Sequence, residues 1–307
     1  MIYRLLCAII LIFYGITAAT AQGYVDQDRV ARLQNTQNMP VDNLLKVSWH
    51  RYEYNDYIPE IEKGNWTSFL AHLDSIPGDD TAMKRYIVEL SNRVTGDNFK
   101  NGRILIIPDS FAQDFKAYSP YPFYYTAADT VPKLFIIDKF TQTFGAYEYG
   151  KLVRWGLLSS GKTNDKTPAG RYNFNWKDEY RLSNAAPPGE KWELYYMFNF
   201  QSKWGIHVHQ YALPINKPVS HGCVRVAMAD AIWNYGWGNG WLHEKGSLLR
   251  NGTPVMVIND NPKGNAAHWQ VTDKQVQSLV RLPVNLLEIP KGMHSSISDR
   301  VPWLSGW

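Results

Sequence analysis

From residue 131 onward the chain is a succession of short β-rich runs divided by turn residues, and this most constrains its fold. KLFIIDKF (133–140), TFGAYEYG (143–150) and KLVRWGLLSSG (151–161) are rich in branched and aromatic residues. Tyr149-Gly150-Lys151 is placed to join two of these runs as a hairpin. Thr167-Pro168-Ala169-Gly170 reads as a turn before RYNFNW, and LYYMFNF (194–200), WGIHVHQ (204–210) and TPVMVIND (253–260) supply further strands. A helix is expected between them, over 227–235. Many short strands with few helices predict a mainly β domain at 131–260, built as a β-sandwich or partly open barrel.

The flanks have a different texture. Residues 22–110 combine helical spacing at 66–73 and 81–94 with a short buried strand, Ile104-Leu105-Ile106-Ile107, which predicts an α+β region. Its stretch LSNRVTGDNFKNGRILIIPD (90–109) is similar to the end of a LysM glycan-binding repeat; a helical cap packed on the next domain is the alternative. Residues 111–130 are aromatic and carry Pro120 and Pro122, the composition of a connector lying on a surface rather than a free linker. Residues 261–307 read as an irregular C-terminal extension with a short helix at 275–281.

The first 21 residues read as a secretory signal peptide: Arg4, an apolar run from Leu5 to Phe13, then Ala19-Thr20-Ala21 before Gln22. The apolar run is short for a membrane anchor, the competing reading. An exported protein of the periplasm or cell wall is therefore expected. The formal charge of +4 is mild and no basic run is present, so nucleic acid is not an expected partner.

Export sharpens the cysteine question. Cys7 lies in the leader, which leaves Cys223, in SHGCVRV (220–226), alone. A lone thiol in an oxidising compartment calls for a chemical reason. His207, His209 and His221 are near in sequence, and an imidazole beside a thiol generates the thiolate nucleophile. His207 and His209 share one face of a strand and rank equally as the base on the residues alone. Gly222 permits a tight turn in which the amides of Gly222 and Cys223 face a developing oxyanion. Strand proximity suggests a cleft lined by Trp204, Tyr195 and Tyr196. Two other readings compete. Three imidazoles and a thiolate form an acceptable zinc or copper ligand set, and a buried cysteine can simply be inert. A papain-like arrangement is disfavoured because its histidine follows the cysteine.

Gly205-Ile206-His207, then Ser220-His221-Gly222-Cys223-Val224-Arg225, resembles the signature of the L,D-transpeptidase (YkuD) family. The hairpins from 133, the TPAG turn and GTPVMV are similar to other parts of that family's domain, so the resemblance covers about 131–260. It implies a β-sandwich-like catalytic domain acting on peptidoglycan without metal or organic cofactor. Cys223 would be the nucleophile and His207 the general base; Ser220, His221 and Gly222 would shape the oxyanion loop. Arg225 would hold the loop or a substrate carboxylate, and the Val208 carbonyl could serve as the third catalytic element. The resemblance adds His209 to the cleft, on the acceptor side. The implied donor is a tetrapeptide stem that loses its terminal D-Ala. An amine acceptor gives a 3-3 cross-link and water gives an L,D-carboxypeptidase; a non-catalytic wall-binding protein with a metal site remains the alternative from another class. Carbapenems are implied as covalent inhibitors.

Overall fold

The computed structural model describes residues 23–55, 65–263, 280–286 and 294–295. The leader and all but the last two residues of the helix expected at 275–281 lie outside the described residues. Among the described residues no helix is long and apolar enough to cross a membrane.

The N-terminal region begins with α1 (Gln27–Gln34), whose first turn is capped by the Asp26 carboxylate accepting from the amides of Asp28 and Arg29. There follow β1 (Trp49–Tyr54), α2 (Asn65–Ser75), α3 (Thr81–Ser91) and β2 (Arg103–Pro108). β1 and β2 pair antiparallel, Trp49 opposite Pro108 and Tyr54 opposite Arg103. A two-stranded ladder is marginal alone. Here Phe69 and Leu73 of α2, Ile87 and Leu90 of α3, and Leu105 and Ile107 of β2 are buried in one core.

The remaining strands are β3 (Leu134–Asp138), β4 (Thr143–Glu148), β5 (Lys151–Ser159), β6 (Gly170–Asn173), β7 (Lys177–Leu182), β8 (Glu193–Gln201), β9 (Ile206–Gln210) and β10 (Val224–Val226). After α4 (Met228–Trp237) come β11 (Leu242–Glu244), β12 (Ser247–Arg250), β13 (Pro254–Ile258) and β14 (His294–Ser295). Ten of them form one sheet in the order β14-β6-β13-β3-β4-β5-β10-β9-β8-β7, while β11 and β12 pair separately. Phe174, just past β6, stacks on Phe198 of β8 with centroids 4.0 Å apart, although β6 and β8 lie near opposite ends of that order. The sheet therefore curls until its ends meet. The mainly β reading from the sequence holds, and its sandwich is one strongly curled sheet.

β3 shows how the curl is held. All five of its residues are buried. Leu134 and Ile136 enter the core shared with the N-terminal region, whereas Phe135 and Ile137 enter the core inside the curl. A strand covered on both faces reads as an unbroken apolar run, which is why LFII shows no alternation. The aromatic connector lies on the outer face. Phe115 stacks on Trp155 of β5 at 4.7 Å, and the Trp155 indole donates to the Phe115 carbonyl. Tyr121 lies against Gly145 of β4, where a Cβ would come within 2.9 Å of its ring, so only glycine admits the contact. Fully burying each such aromatic stabilises the fold by about 1.5–3 kcal/mol.

Candidate active site

β9 and β10 run parallel side by side, with Val208 opposite Val224. Side chains alternate across a strand, so Val208, Val224 and Val226 point into the inner core. His207, His209 and Arg225 consequently face the other way and, with Cys223 just before β10, line one cleft of about 350 Å³. Two neighbouring strand ends thus bring a thiol, Cys223, and an imidazole, His207, to one cleft.

Cys223 is half-buried at the floor of this cleft. Its Sγ lies 3.8 Å from His207 Nδ1 and 3.8 Å from the Gly205 carbonyl oxygen. Burial pushes the thiol above its usual range, against smaller lowering by His207 and Arg225. Burial, reinforced by the Arg181 guanidinium, lowers His207 to about 4. The Trp176 ring packs on this imidazole with centroids 4.9 Å apart, and His207 Nε2 is buried with no hydrogen-bond partner among the described residues. The Val208 carbonyl, expected as a third catalytic element, therefore does not accept from it: the strand turns that carbonyl into the ladder. These environments favour a resting pair of neutral thiol and neutral imidazole over thiolate and imidazolium.

His209 lines the same cleft but is buried, and its Nδ1 is bonded to the Gln210 carbonyl at 2.8 Å. Burial lowers it to about 4 as well. It is not within bonding reach of the thiol, so geometry separates two histidines that residue type alone ranks nearly equally, in the direction the resemblance implies. His221 turns outward, with Nε2 2.8 Å from Lys162 Nζ and its ring stacked on Trp192 at 5.3 Å. Four ligands for one metal do not come together: among the described residues no group of three or more His, Cys, Asp or Glu is placed to hold an ion.

The loop that bears Cys223 is braced from within and from behind. Gly222 has φ +115°, a conformation open to glycine. Ser220 Oγ accepts from the Gly222 amide at 3.1 Å and donates to the Cys223 carbonyl. This corrects one expectation: the Gly222 amide is spent on Ser220 and does not face the cleft, because the loop closes on its own serine. Thr167, read from the sequence only as part of a turn, is fully buried behind the loop. Its Oγ1 accepts from the Gly161 amide at 2.9 Å and donates to the Gly222 carbonyl at 2.7 Å.

The cleft wall departs from expectation on β8. Trp204 lines the cleft and is 55 % exposed. Tyr195 and Tyr196 do not line it; Leu194 and Met197 do. The cause is a β-bulge: Tyr196 has φ +50° and the β8–β9 register shifts between Tyr195 and Phe198, which inverts the faces that plain alternation assigns. Tyr195 packs on Tyr180 instead, and Tyr196 on Tyr235. Arg225 borders the cleft with its guanidinium 4.6 Å from the Tyr211 ring centre and a hydrogen bond to the Ala212 carbonyl. The β7–β8 connection adds Trp192, which no sequence signal marked. Among the described residues two arginines and three histidines line the cleft, and no carboxylate does.

Residues 132–257 match the family model of the L,D-transpeptidase catalytic domain, YkuD. A Bacillus licheniformis protein described as an L,D-transpeptidase, YkuD, is 25 % identical over 186 residues, covering 60 % of this chain and 92 % of that one. An L,D-transpeptidase from Stackebrandtia nassauensis is similar at 25 % identity and TM-score 0.34, covering 43 % of this chain and 57 % of that one. An L,D-transpeptidase solved in complex with imipenem is similar at 18 % identity and TM-score 0.35, covering 42 % of this chain and 59 % of that one. The chain thus spans somewhat over half the length of these two solved proteins.

Proposed function

We propose that this chain, whose residues 132–257 match the L,D-transpeptidase catalytic-domain model, is an exported enzyme that acylates Cys223 with a peptidoglycan tetrapeptide stem and passes the acyl group to an amine. The observation that carries the reading is the 3.8 Å approach of Cys223 Sγ to His207 Nδ1 in an open cleft.

The chemistry follows from the resting state. His207 is unprotonated at neutral pH, so it is competent to take the thiol proton as sulfur attacks the carbonyl of the third stem residue. Among the described residues the Cys223 amide has no acceptor, and it is the loop donor that we assign to the oxyanion. Collapse breaks the peptide bond, the departing D-Ala amine takes the proton from His207, and a thioester remains. A second amine attacks that thioester, loses its proton to His207 and releases the thiol. A stem amine gives a 3-3 cross-link; water gives the L,D-carboxypeptidase outcome. Trp176, Trp192 and Trp204 restrict water around the thioester and so favour amines. The βααβ order of residues 49–108, with the 90–109 resemblance, supports a wall-glycan contact for the N-terminal region.

Mass spectrometry after incubation with a disaccharide-tetrapeptide tests this. A dimer lacking one D-Ala is expected. Tripeptide without dimer would make water the acceptor, and an untouched substrate would overturn the reading. A carbapenem should add its mass to the wild type and not to Cys223→Ala.

A further inference from the structure

The mechanism above leaves both cleft arginines without a task, and of the two Arg181 is the one beside His207. Arg181 stands on β7 across from the nucleophile loop, with its guanidinium 4.7 Å over the Trp176 ring, and Trp176 in turn packs on His207. An arginine laid on an aromatic face is held in one orientation while its N–H edge stays available. Among the described residues only Nη2 is engaged, with the Asp178 carboxylate at 3.2 Å. That pair joins residues three apart, with side chains 52 % and 37 % exposed, and such pairs hold weakly. The guanidinium is therefore free to accept an anion without breaking a buried bond.

We propose that Arg181 is the specificity residue that receives the C-terminal carboxylate of the donor stem. The inference rests on the transpeptidase reading and adds a recognition element to it. The argument is one of connectivity. His207 must deliver its proton to the departing amine, so the scissile nitrogen lies against His207. In a terminal D-amino acid the carboxylate is borne on the carbon next to that nitrogen. The receptor must accordingly adjoin His207, as Arg181 does through Trp176. Arg225, the other cleft cation, instead lies on Tyr211 and bonds the Ala212 carbonyl.

This placement also couples binding to chemistry. Arg181, held only by the exposed Asp178, disfavours the imidazolium form of His207. A carboxylate on Arg181 cancels that effect when the proton must move from sulfur to nitrogen, so the anionic end of the donor switches on its own cleavage. Asp178 is the carboxylate nearest in this arrangement, and His209, Arg225 and His221 are the remaining cleft groups able to carry charge. After D-Ala departs, the guanidinium is vacant again.

The test measures acylation of Cys223 by intact-protein mass with two donors, a tetrapeptide bearing a free C-terminal acid and the same peptide as its C-terminal amide. The wild type should prefer the acid by about tenfold to a hundredfold, the range of a charge-assisted hydrogen bond. Arg181→Gln should bring that ratio to near unity by slowing the acid alone, and Arg181→Lys should restore part of it. A merely structural Arg181 would slow both donors together. An unchanged ratio in Arg181→Gln, or a wild type without preference, overturns the proposal. Alkylation of Cys223 by iodoacetate against iodoacetamide separates the two levels of inference. If neither peptide acylates the wild type while the alkylation ratio still falls in Arg181→Gln, the transpeptidase reading fails and the carboxylate receptor stands. If that ratio is also unaffected, both fail.

Discussion

Replacing Thr167 by valine isolates the brace behind the Cys223 loop. The side chain is fully buried and its shape is nearly preserved, so packing changes little. What disappears is the hydroxyl that accepts from the Gly161 amide at 2.9 Å and donates to the Gly222 carbonyl at 2.7 Å. Each orphaned buried backbone group costs about 1–3 kcal/mol, so the pair should cost about 2–6 kcal/mol. The functional effect should exceed the loss of folded protein, because Gly222 carries the φ of +115° that aims Cys223. A shift of about 1 Å in a catalytic group costs about a hundredfold in rate. Urea unfolding gives the first quantity. Single-turnover acylation, read by intact mass well below the unfolding transition, gives the second. Thr167→Ser keeps both hydrogen bonds and should lose only about 1 kcal/mol for its missing methyl. A valine variant as stable and as fast as the serine variant would refute the brace.

Other expectations are simpler to state. Cys223→Ser should keep the fold and lose nearly all turnover, and His207→Ala should slow acylation more than His209→Ala does; the reverse order would move the base to His209. His207 and His209 are both lowered to about 4 from 6.5, so the unfolded chain binds more protons between those values. Their contribution to stability is complete above about 6.5 and is lost as pH falls through about 4. Asp230, raised by burial to about 6, works in the opposite direction, its contribution being lost as pH rises through that value. The urea midpoint should therefore fall on acidification from neutral pH, and less steeply in His209→Gln; an equal slope would count against the assignment. Gly145→Val should destabilise by at least about 1–3 kcal/mol, since its Cβ would meet the Tyr121 ring, and Tyr121→Ala should relieve part of that cost. Additive losses in the double variant would deny the contact.

Much of the site was legible because its parts are short-range. The SHGC stretch and the strand bearing His207 announce themselves through residue type, and the parallel β9–β10 pairing joins them. The strand run at 133–161 and the Tyr149-Gly150 turn were equally plain, because turn chemistry and branched residues act locally. Tyr195 and Tyr196 were misplaced for a different reason. A bulge is one residue of excess on one strand, and only the partner strand reveals it. Thr167 and Trp192 were invisible because their roles depend on what lies behind and across from them. Residue type and strand face leave His207 and His209 nearly equal; the family resemblance favours His207, and the 3.8 Å distance to the thiol agrees.

The double-sided burial of β3 has a practical corollary. The segment with family likeness, 132–257, and the segment that can stand in water are different units. Leu134, Ile136, Tyr147 and Trp155 are sealed by residues that lie before the likeness begins, Phe115 and Tyr121 among them. A protein cut at residue 131 would retain every group of the cleft and present a bare apolar face to solvent. Heredity and solubility have drawn their boundaries in different places along this chain, and the chemistry of Cys223 is housed in a fold that needs the longer one.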